Sequence, residues 1–169
     1  MLSNTMTFTA IVNNNYFRIS HHSGQLHINE VTIDMPYDIC SLSISKNKIY
    51  VVYSHIRHDG FHLIDSDIPL NNIAAYDFLG KYVWNIENIW RVSSVISKQM
   101  SSGVHFYKVE WYNSDAYLKY FPHFSSYNKI ADRHFKVISD HEYLVGYTVM
   151  GECYTVDLTT SEIVHITNV

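Results

Sequence analysis

The feature that most constrains this chain is a hairpin pattern that occurs twice. Residues 73–86 contain a short apolar strand, an Asp-led turn with a glycine, and a second strand. Residues 152–166 have the same organisation, with Ser161 in the turn where the first copy has Gly80. A repeated small unit is typical of proteins built from a series of similar sheets. The repeat therefore predicts an architecture and leaves the activity open.

The composition favours β-sheet over helix or disorder. Of the 169 residues, 47% are hydrophobic and 17% are charged, and 14 are Tyr. Branched and aromatic side chains pack well on a pleated surface, which explains their enrichment in strands. This length suits one domain and is sufficient to bury a core without disulfides or a structural metal. We therefore expect a single β-rich binding domain over residues 1–169.

The order of apolar and polar residues predicts the strands. Residues 39–45 alternate Ile or Leu with Ser, apart from one slip at Cys40, whereas residues 49–54 are apolar on both faces. Strands that follow one another through short turns form an antiparallel meander. We therefore expect an all-β fold of sequential antiparallel hairpins with few short helices. One helix is predicted to be capped at Ser114 and to end before Pro122.

The two hairpins resemble the outer half of a blade in quinoprotein-type β-propellers. That repeat reads Tyr-x-x-Asp-x-x-Thr-Gly-Lys and continues into a strand that ends in Trp. Matching residues in the first copy are Tyr76, Asp77, Gly80, Lys81 and Trp84. Matching residues in the second copy are Asp157, Thr160, Glu162 and Ile163. Residues 16–28 resemble a weaker third copy that lacks the Asp.

The spacing of the two copies gives an estimate of the number of blades. Asp77 and Asp157 are 80 residues apart, which corresponds to two blades of about 40–45 residues. A degenerate blade is therefore predicted between them, centred on residues 109–119. By length the chain holds about four blades at most, the lower limit for a closed ring. We expect a propeller-like arrangement that is incomplete or irregular, and the alternative is a sandwich or twisted meander.

A second resemblance concerns function. Residues 72–86 and 147–159 resemble segments of small, Tyr-rich proteins encoded beside bacterial polymorphic toxins and toxins of contact-dependent growth inhibition. The resemblance covers about a third of the chain, and its motifs are structural rather than chemical. It implies a non-enzymatic immunity protein that binds a cognate toxin as a heterodimer and occludes its active site. No binding residue is transferred by the resemblance, because such interfaces differ between toxins.

Charge and cysteine content restrict the partners and the compartment. The net charge is −4 with a pI near 6.2, so a basic surface for direct nucleic-acid binding is not expected. A basic protein such as a nuclease toxin is a more natural partner. The chain has 2 Cys, no signal-peptide pattern at its first residues and no apolar run of membrane-spanning length. These features favour a cytoplasmic protein without membrane contact.

Two segments that interrupt the repeat are the candidate binding regions. Residues 55–72 form the longest polar connection, and residues 113–134 begin with an aromatic stretch. Acidic side chains in these segments are expected to contact a basic groove of the toxin. Two tyrosines on one helix face are expected either to anchor this contact or to pack in the core. The predicted partner-binding residues are His58, Asp59, His62, Asp65, Asp67, Asp115, Tyr117 and Tyr120.

The alternative function is a metal-dependent hydrolase that uses residues 55–67. Imidazole and carboxylate groups in this segment are suitable zinc ligands, but their spacing matches no standard zinc motif. Cys153 is a poor candidate nucleophile, because neither a glycine elbow nor a helix N-terminus precedes it to lower its pKa. It is expected to be a core thiol. The sequence thus predicts neither a catalytic residue, nor a metal, nor a cofactor.

Overall fold

Three antiparallel sheets account for most of the structure, a computed structural model that describes residues 6–54, 70–92, 103–120 and 136–168. Each sheet consists of four strands that follow one another in the sequence. Two short helices accompany the strands in the described ranges. The prediction of an all-β fold of sequential antiparallel hairpins with few short helices is confirmed.

The strands of each sheet are consecutive, and the helices follow the second sheet and the first strand of the third. The first sheet contains β1 (Thr7–Val12), β2 (Asn15–His22), β3 (Gln25–Ile28) and β4 (Val31–Asp34). The second contains β5 (Ile39–Ile44), β6 (Ile49–Tyr53), β7 (Ile73–Tyr76) and β8 (Tyr82–Asn85). The third contains β9 (Phe106–Asn113), β10 (Glu142–Thr148), β11 (Glu152–Asp157) and β12 (Glu162–Asn168). The helices are α1 (Ile86–Val92) and α2 (Ser114–Tyr120).

The two repeated hairpins occupy equivalent places as the third and fourth strands of the second and third sheets. In each turn the carboxylate of the Asp accepts backbone N–H groups: Asp77 from Leu79 at 2.9 Å, and Asp157 from Thr159 at 2.9 Å. Gly80 and Ser161 both have positive φ, at 83° and 58°. Both turns thus combine an Asp carboxylate that accepts backbone N–H groups with a residue at positive φ. Only glycine adopts a positive φ without a steric penalty.

Two details of the repeat prediction are wrong. Residues 16–28 form β2 and β3, the middle pair of the first sheet, so they are not equivalent to the other two hairpins. The blade predicted around residues 109–119 is also wrong, because this range covers part of β9 and α2 within the third sheet. The two equivalent Asp residues belong to successive sheets, so the 80-residue spacing spans one sheet interval, within which both helices of the described ranges also lie.

The first strands of the three sheets converge on one groove, as inner strands do around the axis of a β-propeller. Residues of β1, β5 and β9 line it, including Phe8, Leu42 and Val109, and its volume is about 790 Å³. With three sheets in the described ranges, the arrangement is propeller-like and incomplete, as expected from the sequence.

Serine side chains join β5 to the free edge of β9. Ser41 Oγ accepts the backbone N–H of Val109 at 3.2 Å, and Ser43 Oγ accepts that of Trp111 at 2.9 Å. The Ser hydroxyls of β5 thus accept backbone N–H groups at the edge of β9 that no neighbouring strand of its sheet covers. The slip in that alternation is a β-bulge, because the pairing register with β6 shifts between Ile39 and Ser41 and leaves Cys40 unmatched.

Replacing Ser43 with Ala is expected to lower the free energy of unfolding by about 1 kcal/mol, because the N–H of Trp111 loses its acceptor. Urea denaturation measures the change. Ser20→Ala, on the outward face of the first sheet, is the matched control and should change stability by less than about 0.5 kcal/mol. Equal effects of the two substitutions would show that the edge contact contributes nothing to stability.

Two layers of the core lie one on each side of the second sheet. Between the first and second sheets, Ile19 and Leu26 share a buried cluster with Val51 and Tyr76. The layer between the second and third sheets includes Val52, Ile73, Phe106, Leu144, Tyr154 and Val156, with Trp84 packed against it. Burial of each such side chain contributes about 1.5–3 kcal/mol. Tyr76, Trp84 and Val156 of the two repeated hairpins thus pack between sheets.

Asn72 connects the second and third sheets through a buried side chain. Its amide NH₂ donates to the carbonyl oxygens of Tyr53 at 2.6 Å and Phe106 at 2.8 Å. Its amide oxygen accepts the N–H of Phe106 at 2.7 Å. The residue is 2% exposed, so these backbone groups have little access to water. One side chain therefore satisfies polar groups on two sheets at once.

The outward faces of the two end sheets differ in how they are covered. On β1, Thr7, Thr9 and Ile11 are exposed, whereas the alternate residues face the second sheet. On the third sheet, α2 covers the outward face, where Tyr117 packs with Tyr143 and other buried residues. A largely polar face and a helix thus cap the two ends of the array, as terminal units do in repeat proteins.

Candidate interaction surface

Three of the eight predicted partner-binding residues lie in the described part of the chain, and all three are on α2. They are Asp115, Tyr117 and Tyr120. The other five lie outside the described residues, and so does the segment proposed for metal binding; they are His58, Asp59, His62, Asp65 and Asp67. The role predicted for those five residues stays a prediction.

The N-cap of helix α2 is Asn113, one residue before the position predicted from the sequence. The side-chain oxygen of Asn113 accepts the backbone N–H of Ala116 at 2.8 Å, which is the geometry of an N-cap. Asn113 therefore caps the helix in place of the predicted Ser114, which is its first helical residue. Asp115 in the first turn and Lys119 in the last turn both suit the helix dipole. The helix itself is correctly predicted.

Tyr117 fixes α2 to the third sheet. It is 3% exposed, its hydroxyl is hydrogen-bonded to Thr155 Oγ1 at 2.8 Å, and its ring lies 4.9 Å from that of Tyr143. Burial raises the pKa of Tyr117, so the hydroxyl stays neutral. Of the two roles open to this residue, the structure therefore places it in the core, where its ring positions the helix and does not face solvent.

Tyr120 lies at the exposed end of the same helix. It is 61% exposed, and its ring centroid is 5.9 Å from that of Tyr112, which in turn lies 6.2 Å from Tyr117. The two helix tyrosines therefore flank one ring on β9, as their spacing predicts. Leu118 and Asp115 are also exposed. Helix α2 thus presents an aliphatic side chain and, in its first turn, a carboxylate to solvent, in addition to the Tyr120 ring at its last residue.

Glu110 organises the side chains next to Tyr120. Its carboxylate accepts from Lys108 Nζ at 2.7 Å and from the hydroxyl of Tyr147 at 3.3 Å, and it is also hydrogen-bonded to Tyr112. Burial alone would raise the pKa of Glu110, but the hydrogen bonds from Lys108 and Tyr112 outweigh it and lower the pKa. The ionised carboxylate therefore holds both tyrosine hydroxyls in place.

These side chains form one continuous surface, called here the tyrosine surface. Its members are Tyr107, Lys108, Glu110, Tyr112, Tyr120 and Tyr147. Rings held by hydrogen bonds lose little conformational entropy on binding, and Tyr is enriched at the centres of protein interfaces. The surface is therefore suited to hold a protein partner.

Of the six residues of the tyrosine surface, the sequence prediction includes only Tyr120 and misses the other five. Lys108, Glu110 and Tyr112 alternate along one strand, so a strand assignment places them on one face. Tyr147 joins them only because β10 pairs with β9 in the register that sets Tyr147 opposite Lys108. That register depends on long-range pairing, which the local pattern does not contain.

The cysteines occupy two different environments. Cys153 is buried, and burial together with the nearby Glu110 raises its pKa to about 12. The prediction of a core thiol is confirmed. Cys40 lies at the bulge of β5 and is exposed, and its Sγ donates to the carbonyl oxygen of Tyr107 at 3.5 Å. Desolvation of this thiol raises its pKa to about 11.

Within the described ranges, no group of three or more His, Cys, Asp or Glu side chains is arranged to hold a metal ion. No helix of those same ranges is long and apolar enough to cross a lipid bilayer.

Comparisons with known proteins identify a distant likeness to solved structures. No protein-family model and no curated protein matches the chain. Among solved structures, it is similar to the Pan2 WD40 domain of Neurospora crassa, with a TM-score of 0.44 and 9% sequence identity. The match covers 94% of this chain and 39% of that chain, so this protein spans about two-fifths of the length of its neighbour.

Proposed function

We propose that the protein is a non-enzymatic immunity protein that binds a cognate toxin and occludes its active site in the cytoplasm. The observation that supports this is the tyrosine surface, where rings on β9 and β10 are held by Glu110 beside the exposed Tyr120. A surface that is ordered before binding loses less entropy on association. Tight occlusion is sufficient for neutralisation and requires no chemistry from the immunity protein.

The charge distribution favours a basic toxin such as a nuclease. The chain carries a net charge of −4, and Asp115 stands exposed on α2 close in sequence to Tyr120. Acidic groups on the surface of a binding protein accelerate association with a basic groove and set its orientation. The acidic residues of the segment 55–67 belong to the same proposal as further contacts, although they lie outside the described residues.

Tyr120→Ala is expected to weaken toxin binding by about 30-fold or more, since an aromatic anchor at an interface contributes about 2 kcal/mol or more. The measurement is isothermal titration calorimetry with the C-terminal domain encoded by the adjacent upstream gene. Tyr16→Ala is the matched control, because Tyr16 is similarly exposed but lies on the first sheet. It should leave affinity unchanged, and both variants should keep wild-type stability.

Two results would contradict the proposal. The first is an upstream gene that encodes no toxin-like domain, or such a domain that does not bind the purified protein. The second is a complex in which Tyr120→Ala binds as tightly as Tyr16→Ala, which would exclude the tyrosine surface from the interface.

A further inference from the structure

A second, smaller cavity lies between the second and third sheets, on the opposite side of the third sheet from the tyrosine surface. Its volume is about 300 Å³, at the lower end of the range for small-molecule sites. One wall is apolar and consists of Trp84, Ile89 and Leu158. The Trp84 ring is held by Tyr50, whose centroid is 6.0 Å away. This wall presents a fixed aromatic face to whatever occupies the cavity.

Two opposite charges line the same cavity. Lys48 comes from the turn between β5 and β6, and Glu142 from the first residue of β10. Among the described residues no ion pair joins them, and Lys48 Nζ donates to the exposed amide oxygen of Asn47 at 3.3 Å. Glu142 and Tyr50 line this cavity together, and burial, together with the charge of Glu142, raises the pKa of Tyr50.

The other polar side chains that line the cavity differ in whether they are free to contact a ligand. The Asn85 amide is occupied, because its oxygen accepts the N–H of Asn88 at 3.3 Å and its nitrogen donates to the Tyr82 hydroxyl at 2.8 Å. The exposed side chain of Asn88 also lines the cavity. Ser161 is exposed and lines the cavity as well, so the site combines a cation, an anion, an amide and a hydroxyl with an apolar wall.

We propose that this cavity binds a free α-amino acid with an apolar or aromatic side chain. The Lys48 ammonium would hold the carboxylate of the ligand, Glu142 would accept from its ammonium group, and its side chain would pack on Trp84 and Ile89. A zwitterion satisfies both charges at once, whereas a ligand with a single charge leaves the other desolvated and unpaired. This inference is independent of toxin binding, since the two sites lie on opposite faces of the third sheet.

The test is isothermal titration calorimetry of the full chain with L-leucine, L-methionine and L-phenylalanine, each up to about 10 mM. At least one is expected to bind saturably with one site per chain. Phenethylamine lacks the carboxylate and 3-phenylpropionate lacks the ammonium group, so each should bind at least about tenfold more weakly than L-phenylalanine.

Lys48→Met and Glu142→Gln should each weaken binding at least about tenfold. Lys46→Met and Glu162→Gln are matched controls, because both residues are exposed and lie outside the cavity. Melting temperatures without ligand establish that each variant is folded. The proposal is overturned if none of the three amino acids binds saturably, if the single-charge analogues bind equally well, or if folded cavity variants bind like the controls.

Discussion

Asn72→Ala is expected to lower the free energy of unfolding by about 4 kcal/mol, a large fraction of the stability of a domain of this size. The substitution removes three hydrogen bonds and leaves the N–H of Phe106 and the carbonyl oxygens of Phe106 and Tyr53 without that partner. Each buried polar group left unsatisfied costs about 1–3 kcal/mol. The loss is larger than for an ordinary surface amide because the site joins two sheets.

Urea denaturation of the variant against wild type measures this effect. Asn47→Ala is the matched control, since Asn47 is an exposed turn residue, and it should change stability by less than about 0.5 kcal/mol. Asn72→Asp provides a second comparison: it keeps the acceptor for the Phe106 N–H but sets a carboxylate against two carbonyl oxygens. It should therefore also destabilise the protein. A loss below about 1 kcal/mol in Asn72→Ala would refute the bridging role.

The local features of the fold were predictable because they depend on neighbouring residues. Alternation in residues 39–45 predicts β5, and its slip at Cys40 corresponds to a real bulge. The Asp-led turns are also visible in sequence, since Asp77 and Asp157 accept N–H groups from the residues that follow them. These features need only short-range hydrogen bonds and strand periodicity.

The long-range features were not predictable in the same way. Asn72 acts on Phe106, 34 residues further along the chain, and nothing in the local sequence distinguishes it from an ordinary loop residue. The prediction of a blade around residues 109–119 failed for a related reason, because the spacing of equivalent Asp residues does not reveal which sheet the strands between them join. Pairing and packing between sheets decide such features.

The candidate site shows the same division. Helical spacing places Tyr117 and Tyr120 on one face of α2, but it does not indicate where the third sheet ends beneath that face. The sheet covers Tyr117 and leaves Tyr120 exposed. The packing of α2 against β9 and β10 therefore decides which of the two tyrosines is exposed to a partner. The composition predicts only that the segment is aromatic.

Gly146→Ala is expected to lower the free energy of unfolding by about 2–3 kcal/mol. Gly146 lies in β10 between the second and third sheets, where a methyl group would approach the Phe106 ring to 2.7 Å and Ile73 Cδ1 to 3.0 Å. The ring cannot move aside easily, since Phe106 is fully buried against Trp90 and Tyr154. Overpacking therefore forces the two sheets apart.

Two further variants separate this clash from a general effect of alanine. Gly24→Ala is the matched control: an added Cβ there meets Asp38 Oδ1 at 3.3 Å, so the loss should be below about 1 kcal/mol. Phe106→Leu removes the ring. The double variant with Gly146→Ala should therefore lose less free energy of unfolding than the sum of the losses in the two single variants, by about 1 kcal/mol or more. Strictly additive losses in urea denaturation would show that the methyl group does not meet the ring, and that the spacing of the second and third sheets does not depend on Gly146.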